Sequence, residues 1–387
     1  MKFADRMKNL GTETAFEVLA KAKALEAKGK HIIHLEIGEP DFDTPSNIKE
    51  AAKKALDEGY THYGPSAGLP EVREVIAQEV SKTRNIQVTP DQVVVTPGAK
   101  PIIFFTIFAL INPGDEVIYP NPGFPIYESV IQFLGSKAVP IKLREENDFR
   151  LDTDELKKLV TDKTKLIIIN SPANPTGGIL TKEDLKAIAD IAISKDLYVL
   201  TDEIYNRIIY EGKFETIVQF PGMQERTVIL DGLSKTYAMT GWRLGYGVMN
   251  KDLAYYEARL MTNTNSCTAS FSQRAVIEAL TGPQDEPYKM VDEFKKRREV
   301  IVEGLNAIPK ISCKKPSGAF YVFPNITQTG WDSQKLADHI LSDAGVAVLS
   351  GTSFGRFGEG YLRISYANSV ENIKKGLDRI RAFVEEL

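Results

Sequence analysis

The fold is decided by residues 164–202, which read TKLIIINSPANPTGGILTKEDLKAIADIAISKDLYVLTD. The first seven of these residues and residues 197–202 are runs of almost continuous apolar character, which is typical of strands buried on both faces. Between them, residues 181–195 show amphipathic helical spacing and open with a Thr181-x-x-Asp184 cap. A buried strand, a helix and a second buried strand predict one unit of a parallel sheet.

The same alternation of short apolar runs and helical patterns continues on both sides of this stretch. A helix is predicted from Lys100 to about Ile111, after the loop that starts at Pro97. We therefore predict an α/β fold whose large, mostly parallel sheet is covered by helices on both faces. The other predicted strands of that sheet are 92–96, 116–119, 137–141, 227–230 and 244–249.

The two ends of the chain have a different character. The first 45 residues contain one long helical pattern, at 14–28, which is too little for a domain. The tail mixes helices with short strands, and its last helix starts at Val370. We expect a large cofactor-binding domain of residues 46–285 and a smaller α+β domain built from residues 1–45 and 286–387. The other tail elements are predicted at 291–308, 319–323, 333–343, 346–349 and 361–365.

The composition is that of an ordinary globular protein. The 387 residues are 43% apolar and carry a formal charge of −4, with a pI near 5.8. A chain of this length buries enough surface to need no metal or disulfide for stability. The acidic balance argues against a nucleic-acid-binding surface. The two cysteines, Cys267 and Cys313, form no disulfide framework, so we expect a reducing, cytoplasmic location.

Signals for targeting, membrane insertion and metal binding are missing from the sequence. The first residues lack the apolar core of a signal peptide. The longest strongly apolar run, 101–111, is far shorter than the roughly 20 residues that a membrane helix needs. There is no HExxH, CxxC, P-loop or GxGxxG pattern, and the glycine-rich stretch 355–360 does not follow a strand and open a helix. We expect no metal, no membrane and no nucleic-acid partner.

Polar residues follow several of the predicted strands. In open α/β sheets ligands bind at the carboxyl ends of the strands, so these residues are candidates for a binding site. They fall in four segments, which are Pro97–Lys100, Asn170–Gly177, Thr201–Tyr205 and Asp231–Lys235.

Lys235 is the first candidate for chemistry in these segments. A lysine after a strand is most simply a surface residue, but here Ser234 precedes it and Arg243 follows in the same loop region. A lysine beside a hydroxyl and an arginine suits an aldehyde cofactor that also carries a phosphate. The amine forms a Schiff base with the aldehyde, and the neighbouring groups hold the anion.

Asp202 and the start of the helix at Lys100 are the next candidates. Asp202 is either a cap for the following segment or a buried carboxylate that keeps a ring nitrogen protonated, which makes the ring an electron sink. Glu203, one residue further on, is expected to be solvated. Gly98-Ala99-Lys100 is similar to an anion cradle at a helix N-terminus, although this pattern is weak on its own.

These motifs, taken in order, resemble the pyridoxal-phosphate-dependent aminotransferases of fold type I, class I/II, a group that includes aspartate, alanine and aromatic aminotransferases. The resemblance extends over essentially the whole chain. The matching segments are Gly38–Phe42, Tyr63–Gly68, Asn174–Gly177, Asp202–Tyr205, Ser234–Arg243 and Tyr361–Ser365. Taken without the resemblance, Asn174 is equally a turn residue and Tyr205 equally a core residue.

The resemblance implies a role for each matching residue around pyridoxal 5'-phosphate. Lys235 is the Schiff-base lysine, and Asp202 is the partner of the pyridine nitrogen. Asn174 and Tyr205 hydrogen-bond the phenolic oxygen of the ring, and Phe124 stacks on the ring where many relatives have Trp or Tyr. The phosphate ligands are Ala99, Lys100, Ser234 and Arg243, the first two mainly through backbone N–H groups. The substrate α-carboxylate is bound by Arg363 and by the backbone of Gly38, with Asn174 beside it.

The implied reaction transfers an amino group from an L-amino acid to a 2-oxo acid by a ping-pong mechanism, with the freed Lys235 amine as general base. Two other functions stay open at this point. A carbon–sulfur lyase would use Lys235, Asp202 and Arg363 as well, and release of pyruvate and ammonia without a 2-oxo acceptor would identify it. A non-catalytic ligand-sensing domain is the other, although we expect too few residues before Thr44-Pro45 for a nucleic-acid-binding module.

The resemblance also implies a homodimer with shared active sites, because Tyr63 lies where the family has a tyrosine that reaches the phosphate of the neighbouring subunit. The alternative is a turn tyrosine packed in its own chain. The preferred substrate is not readable from the motifs. Dicarboxylate-specific relatives place a second cation near the substrate side chain, and here residues 263–266 offer amides and hydroxyls, while Glu13 adds an acid near the pocket.

Overall fold

A computed structural model describes residues 2–387. The strands in this part of the chain are β1 (Ile33–His34), β2 (Val93–Thr96), β3 (Glu116–Asn121), β4 (Lys137–Lys142), β5 (Thr164–Asn170), β6 (Tyr198–Asp202), β7 (Thr227–Gly232), β8 (Gly245–Val248), β9 (Tyr321–Val322), β10 (Val346–Ala347), β11 (Leu349–Ser350) and β12 (Leu362–Ser365). The α-helices are α1 (Thr14–Glu26), α2 (Ser46–Asp57), α3 (Pro70–Arg84), α4 (Lys100–Leu110), α5 (Ile126–Phe133), α6 (Thr153–Leu159), α7 (Lys182–Ser194), α8 (Lys251–Asn265), α9 (Ser270–Thr281), α10 (Asp285–Asn306), α11 (Ser333–His339) and α12 (Val370–Glu385).

Seven strands form one sheet in the order β2-β8-β7-β6-β5-β3-β4. The neighbours from β7 to β4 are all parallel, whereas β8 runs antiparallel to both β2 and β7. The predicted α/β fold with a mostly parallel sheet is therefore confirmed. The carboxyl ends of β5, β6 and β7 meet at one edge, where Asn170 pairs with Asp202 and Asp202 with Leu230.

The central strands are apolar throughout because helices cover both faces of the sheet. In β5, Ile168 packs into one hydrophobic cluster with Ile102 of α4, and Ile167 packs into a second cluster with Leu185 of α7. Thr181 caps α7 as predicted: its side chain accepts a hydrogen bond from the Asp184 backbone, and the Asp184 carboxylate accepts one from the Thr181 backbone. The strand–helix–strand unit of residues 164–202 therefore folds as its sequence pattern predicts.

Two smaller sheets lie outside the large one, and the first of them joins the two ends of the chain. Strand β1 pairs in parallel with β10, so that Ile33 lies opposite Val346. Strands β11, β12 and β9 form an antiparallel sheet, and α10 packs against α12. These contacts tie the N-terminal segment to the tail, while the division at residues 45/46 and 285/286 stays a prediction.

The structure corrects two details of the predicted tail. The segment 346–349 is two strands, because Val346–Ala347 pairs with β1 while Leu349–Ser350 pairs with β12. The predicted helix 333–343 ends as an α-helix at His339 and continues as one π-helical turn to Ala344. None of the helices in residues 2–387 is both long and apolar enough to cross a membrane.

Candidate active site

A cavity of about 520 Å³ lies at the carboxyl edge of the large sheet and extends to the N-terminal segment and the tail. Most of the residues predicted for the site line it. They are Gly38, Ala99, Lys100, Phe124, Asn174, Asp202, Tyr205, Ser234, Lys235, Arg243 and Arg363. Glu13, Phe16, Ile37 and Tyr321 also line the cavity. Tyr63 does not belong to this lining.

Lys235 lies three residues beyond β7, and its Nζ donates a hydrogen bond to the Gly38 carbonyl at 2.6 Å. The pKa of this amine is lowered to about 8, mainly by burial; the nearby cations Arg363 and Arg243 act in the same direction, whereas Glu39 and Glu13 oppose the shift. A lysine with such a pKa is partly neutral near pH 7. Its amine is therefore available as a nucleophile or as a base.

Asp202 is the last residue of β6, and its side chain is buried. Burial raises the pKa of this carboxyl to about 6, whereas hydrogen bonds from Tyr127 and from the Ile204 backbone favour the ionised form. Within residues 2–387 no lysine, arginine or histidine forms a salt bridge with it. A carboxylate in this position suits a cationic group of a ligand, because a positive partner offsets the cost of burying the negative charge.

Tyr127 is a residue of the site that the sequence motifs did not identify. Its hydroxyl donates to Oδ2 of Asp202 at 2.6 Å, and its ring packs edge-on against Phe124, with centroids 5.7 Å apart. Phe124 lies two residues before α5 and Tyr127 lies in its first turn, where the Tyr127 backbone N–H donates to the Phe124 carbonyl at 3.2 Å. That spacing after Asn121-Pro122-Gly123 is the signal that could have indicated a second aromatic residue.

The loop before α4 and the loop after β7 form a concave anion site. Gly98 has a φ of +89°, and a Cβ there would collide with the Arg243 guanidinium, so glycine is required for both reasons. Ala99 is the N-cap residue of α4, whose first backbone N–H groups lack helical acceptors. The Ser234 side chain and the exposed Arg243 complete the lining. Free N–H groups, a helix dipole and a guanidinium together suit a phosphate.

Asn174 and Tyr205 line the same cavity as this anion site and Asp202. The Asn174 side-chain Oδ1 is buried and has no hydrogen-bond partner in residues 2–387, which leaves this oxygen free for a ligand. The Tyr205 hydroxyl lies 2.8 Å from the Tyr321 hydroxyl. Phe124 lines the same cavity. An anion cradle, a lysine, a buried carboxylate and two hydrogen-bonding groups beside an aromatic ring fit the donor and acceptor pattern of pyridoxal phosphate.

Arg363 also lines the cavity and is buried. One of its Nη atoms donates to the Glu36 carbonyl, and its guanidinium lies 4.6 Å from the Tyr321 ring centroid. Its Nε is buried and unpaired within the described residues, and burial lowers its pKa. A guanidinium with a free donor facing a cavity is suited to bind a carboxylate.

The remaining predictions have different outcomes. The Lys100 side chain forms an ion pair with Glu13 inside the cavity, a contact between residues 87 positions apart that the motifs did not indicate.

The expectation that Glu203 is solvated is wrong. Glu203 is 1% exposed because Arg84 pairs with it at 3.1 Å and Thr216 donates to it. Tyr63 is 89% exposed, so it is not packed in its own chain.

Comparisons with known proteins agree on one family. Residues 30–380 match the family model described as aminotransferase class I and II. An aspartate aminotransferase of Pyrococcus abyssi is 44% identical over 92% of both chains. Aromatic-amino-acid aminotransferase 2 of Thermococcus litoralis is 39% identical over 100% of this chain and 99% of its own length. The structure of the Thermus thermophilus aspartate aminotransferase with maleate superposes with a TM-score of 0.94 at 36% identity and covers 100% of both chains.

Proposed function

Since this chain belongs to the class I and II aminotransferase family, we propose that the cavity at the sheet edge is its active site and that its substrates include amino acids with an acidic side chain. As a member of the family it is a pyridoxal-phosphate-dependent enzyme that moves an amino group between an L-amino acid and a 2-oxo acid. The observation that carries the assignment of the site is that Lys235, the buried Asp202 and the buried Arg363 line one cavity.

Bound pyridoxal phosphate supplies an electron sink for the negative charge that forms at the substrate Cα. The chain would hold it through the backbone at Ala99 and Lys100 and through Ser234 and Arg243. Asp202 would keep the ring nitrogen protonated, since an ion pair in this buried position favours both charges. Tyr127 orients that carboxylate through its hydrogen bond to Oδ2.

Lys235 is the proton-carrying group of the proposed mechanism. Its amine would attach the cofactor and, once the substrate amine has replaced it, Nζ would be free to accept the proton from the substrate Cα. The pKa of about 8 suits a general base, because a base whose pKa lies near the working pH is both available and strong enough. Arg363 fixes the α-carboxylate, which orients the Cα–H bond toward Lys235.

The basic side chains that line the cavity indicate which substrate side chains it binds. Four basic side chains line it among the described residues, and three of them have assigned partners: Lys235 the cofactor, Arg243 the phosphate and Arg363 the α-carboxylate. The fourth, Lys100, is paired with Glu13 in the cavity. A substrate with a second carboxylate would replace Glu13 as the partner of Lys100. The Pyrococcus relative is named an aspartate aminotransferase, which supports this proposal.

Opposite substitutions in this ion pair test the proposal. Lys100→Met should raise KM for L-aspartate roughly tenfold, the value of a charged hydrogen bond, while KM for L-phenylalanine changes little. Glu13→Gln should lower KM for L-aspartate, because Lys100 no longer has a competing partner. Lys137→Met is the matched control, since Lys137 pairs with Glu116 away from the cavity. Equal effects of Lys100→Met on both substrates would contradict the assignment.

We also propose a homodimer in which Tyr63 completes the site of the partner. Its side chain is 89% exposed and lies outside the cavity lining of its own chain, which supports a contact with a second chain. A two-fold dimer places the same patch on both subunits, so each subunit would complete the other.

Subunit exchange tests this arrangement. A Tyr63 variant without activity is mixed in equal amounts with Lys235→Ala, and about half of the dimers then become hybrids with one intact site. Because each hybrid has one of its two sites intact, about a quarter of the native activity should return. If Tyr63 serves its own chain, every site keeps one lesion and the mixture stays inactive.

The proposed location is the cytoplasm. Cys267 and Cys313 are both free thiols, which fits a reducing compartment. Cell fractionation with a marker enzyme for each compartment tests this location.

A further inference from the structure

We propose that Tyr321 is a positioning residue that aims the Tyr205 hydroxyl at the phenolic oxygen of the bound cofactor and links that hydroxyl to Arg363. This inference rests on the proposed function, in which Tyr205 contacts the cofactor and Arg363 the substrate. Tyr321 was not among the residues that the sequence motifs identified.

Two contacts and its place in the cavity lining connect Tyr321 with residues assigned to the cofactor and to the substrate. Its side chain is 1% exposed, and what surface remains faces the cavity that it lines. Its hydroxyl lies 2.8 Å from that of Tyr205. The Arg363 guanidinium carbon lies 4.6 Å from the centroid of its ring, a distance suited to a cation–π contact.

Gly38 lies on a second side of the Tyr321 hydroxyl. A Cβ at Gly38 would collide with this hydroxyl, so the backbone of the N-terminal segment passes directly beside it. The carbonyl of the same glycine accepts the hydrogen bond from Lys235. The Tyr321 hydroxyl is therefore confined on one side by the segment that contacts Lys235 and on another by Tyr205.

The direction of the bond between the two tyrosines follows from counting hydrogens. In the single chain either hydroxyl can be the donor. Tyr205 has one hydroxyl hydrogen, and when it donates that hydrogen to the cofactor it can only accept from Tyr321. Tyr321 must then be the donor, since no other hydrogen bond is formed by its hydroxyl within residues 2–387. A donated hydrogen bond polarises the Tyr205 O–H group and strengthens its own donation.

The effect should be visible in the absorption of the bound cofactor. The imine nitrogen that joins the cofactor to Lys235 loses its proton as the pH rises, and the negative charge on the phenolic oxygen then increases. A hydrogen bond to that oxygen stabilises the deprotonated form more than the protonated form, and so lowers the midpoint pH of the change. Loss of the Tyr321 hydroxyl should therefore raise this midpoint.

The experiment is a spectrophotometric pH titration of the cofactor-loaded enzyme and its variants. Tyr321→Phe should raise the midpoint by about half a pH unit, which corresponds to a modest hydrogen-bond contribution. Tyr205→Phe should raise it further, and the double variant should match Tyr205→Phe alone, because Tyr321 acts through Tyr205. The matched control is Tyr366→Phe. Its hydroxyl belongs to another buried tyrosine pair, 3.3 Å from that of Tyr210, outside the cavity lining.

Gly38→Ala provides a second variant that retains both tyrosines. Its new Cβ would displace the Tyr321 hydroxyl, and the midpoint should move in the same direction as in Tyr321→Phe. An unchanged midpoint in both variants, or additive effects of Tyr321→Phe and Tyr205→Phe, would overturn the inference while the cofactor assignment stands. A wild-type protein that gains no pH-dependent absorption with pyridoxal phosphate would instead overturn the proposed function, and the inference with it.

Discussion

The two ends of the cavity are built in different ways. At the cofactor end, Asp202 and Lys235 lie at or just beyond the carboxyl ends of adjacent parallel strands, and the sheet holds them in fixed relation. The substrate end consists of the Arg363 guanidinium and the Lys100 side chain, whose backbone belongs to the cofactor end. Arg363 is held by the Glu36 carbonyl, a contact between residues 327 positions apart, and the Lys100 side chain is paired with Glu13 of the N-terminal segment. We infer that the first end sets the rate for every substrate and that the second end sets which substrates bind.

The largest effect is expected from a change at the cofactor end. Lys235→Ala should lower transamination by roughly 10³-fold or more for all substrates, because both the attachment of the cofactor and the general base are lost. Steady-state rates with acidic, aromatic and small amino acids check this. Lys235→Arg keeps the positive charge and should be equally inactive, whereas the exposed Lys251→Ala should resemble the wild type. Normal turnover by Lys235→Ala would refute the assignment.

Asp202→Ala should give the next largest effect, and again for every substrate. The ring nitrogen would lose the buried carboxylate that keeps it protonated, so kcat should fall on the order of 10²-fold while the cofactor stays bound. Cofactor content and kcat are measured on the same preparation. Tyr127→Phe is a useful companion, since it leaves the carboxylate but removes its 2.6 Å hydrogen bond, and should give a smaller decrease. An unchanged kcat in Asp202→Ala would show that this residue only caps the following segment and does not act on the cofactor.

A change at the substrate end should act on binding more than on turnover. Arg363→Lys should raise KM roughly tenfold for every amino acid, since the α-carboxylate is common to all and lysine cannot replace the planar guanidinium. Arg379→Lys, on the surface near His31, is the control. Lys100→Met provides a contrast, because that change should raise KM only for substrates with an acidic side chain. An effect of Arg363→Lys on one substrate class alone would make Arg363 a side-chain contact.

The smallest effect is a pH dependence at Lys235. Its pKa is lowered to about 8, mainly by burial, so below that pH the neutral fraction falls about tenfold per pH unit. The rate at which cofactor-free protein captures pyridoxal phosphate should rise with pH up to about 8 and then level off. A parallel reaction with a free lysine derivative corrects for titration of the cofactor itself. A rate that keeps rising toward pH 10 would show an unperturbed amine.

The sequence indicates residues at strand ends more readily than contacts between distant segments, for a physical reason. Asn174, Asp202 and Lys235 lie at or near strand ends, and a strand end can be read from a local pattern of apolar residues followed by polar ones. The Lys100–Glu13 pair and the Tyr205–Tyr321 contact join segments that are 87 and 116 positions apart. No local pattern encodes such contacts. Glu203 was misjudged for the same reason, because its partner Arg84 lies on α3, 119 positions earlier.

That Lys235 carries the cofactor is tested most directly by chemical trapping. Borohydride reduces the imine between pyridoxal phosphate and a lysine to a stable secondary amine, and mass spectrometry of the digested protein then identifies the modified residue. We predict a single modified peptide, the one that contains Lys235, and no modification when L-aspartate has first converted the cofactor to its amine form. Modification at Lys100 or another lysine, or the absence of any modification in protein loaded with pyridoxal phosphate, would contradict the assignment.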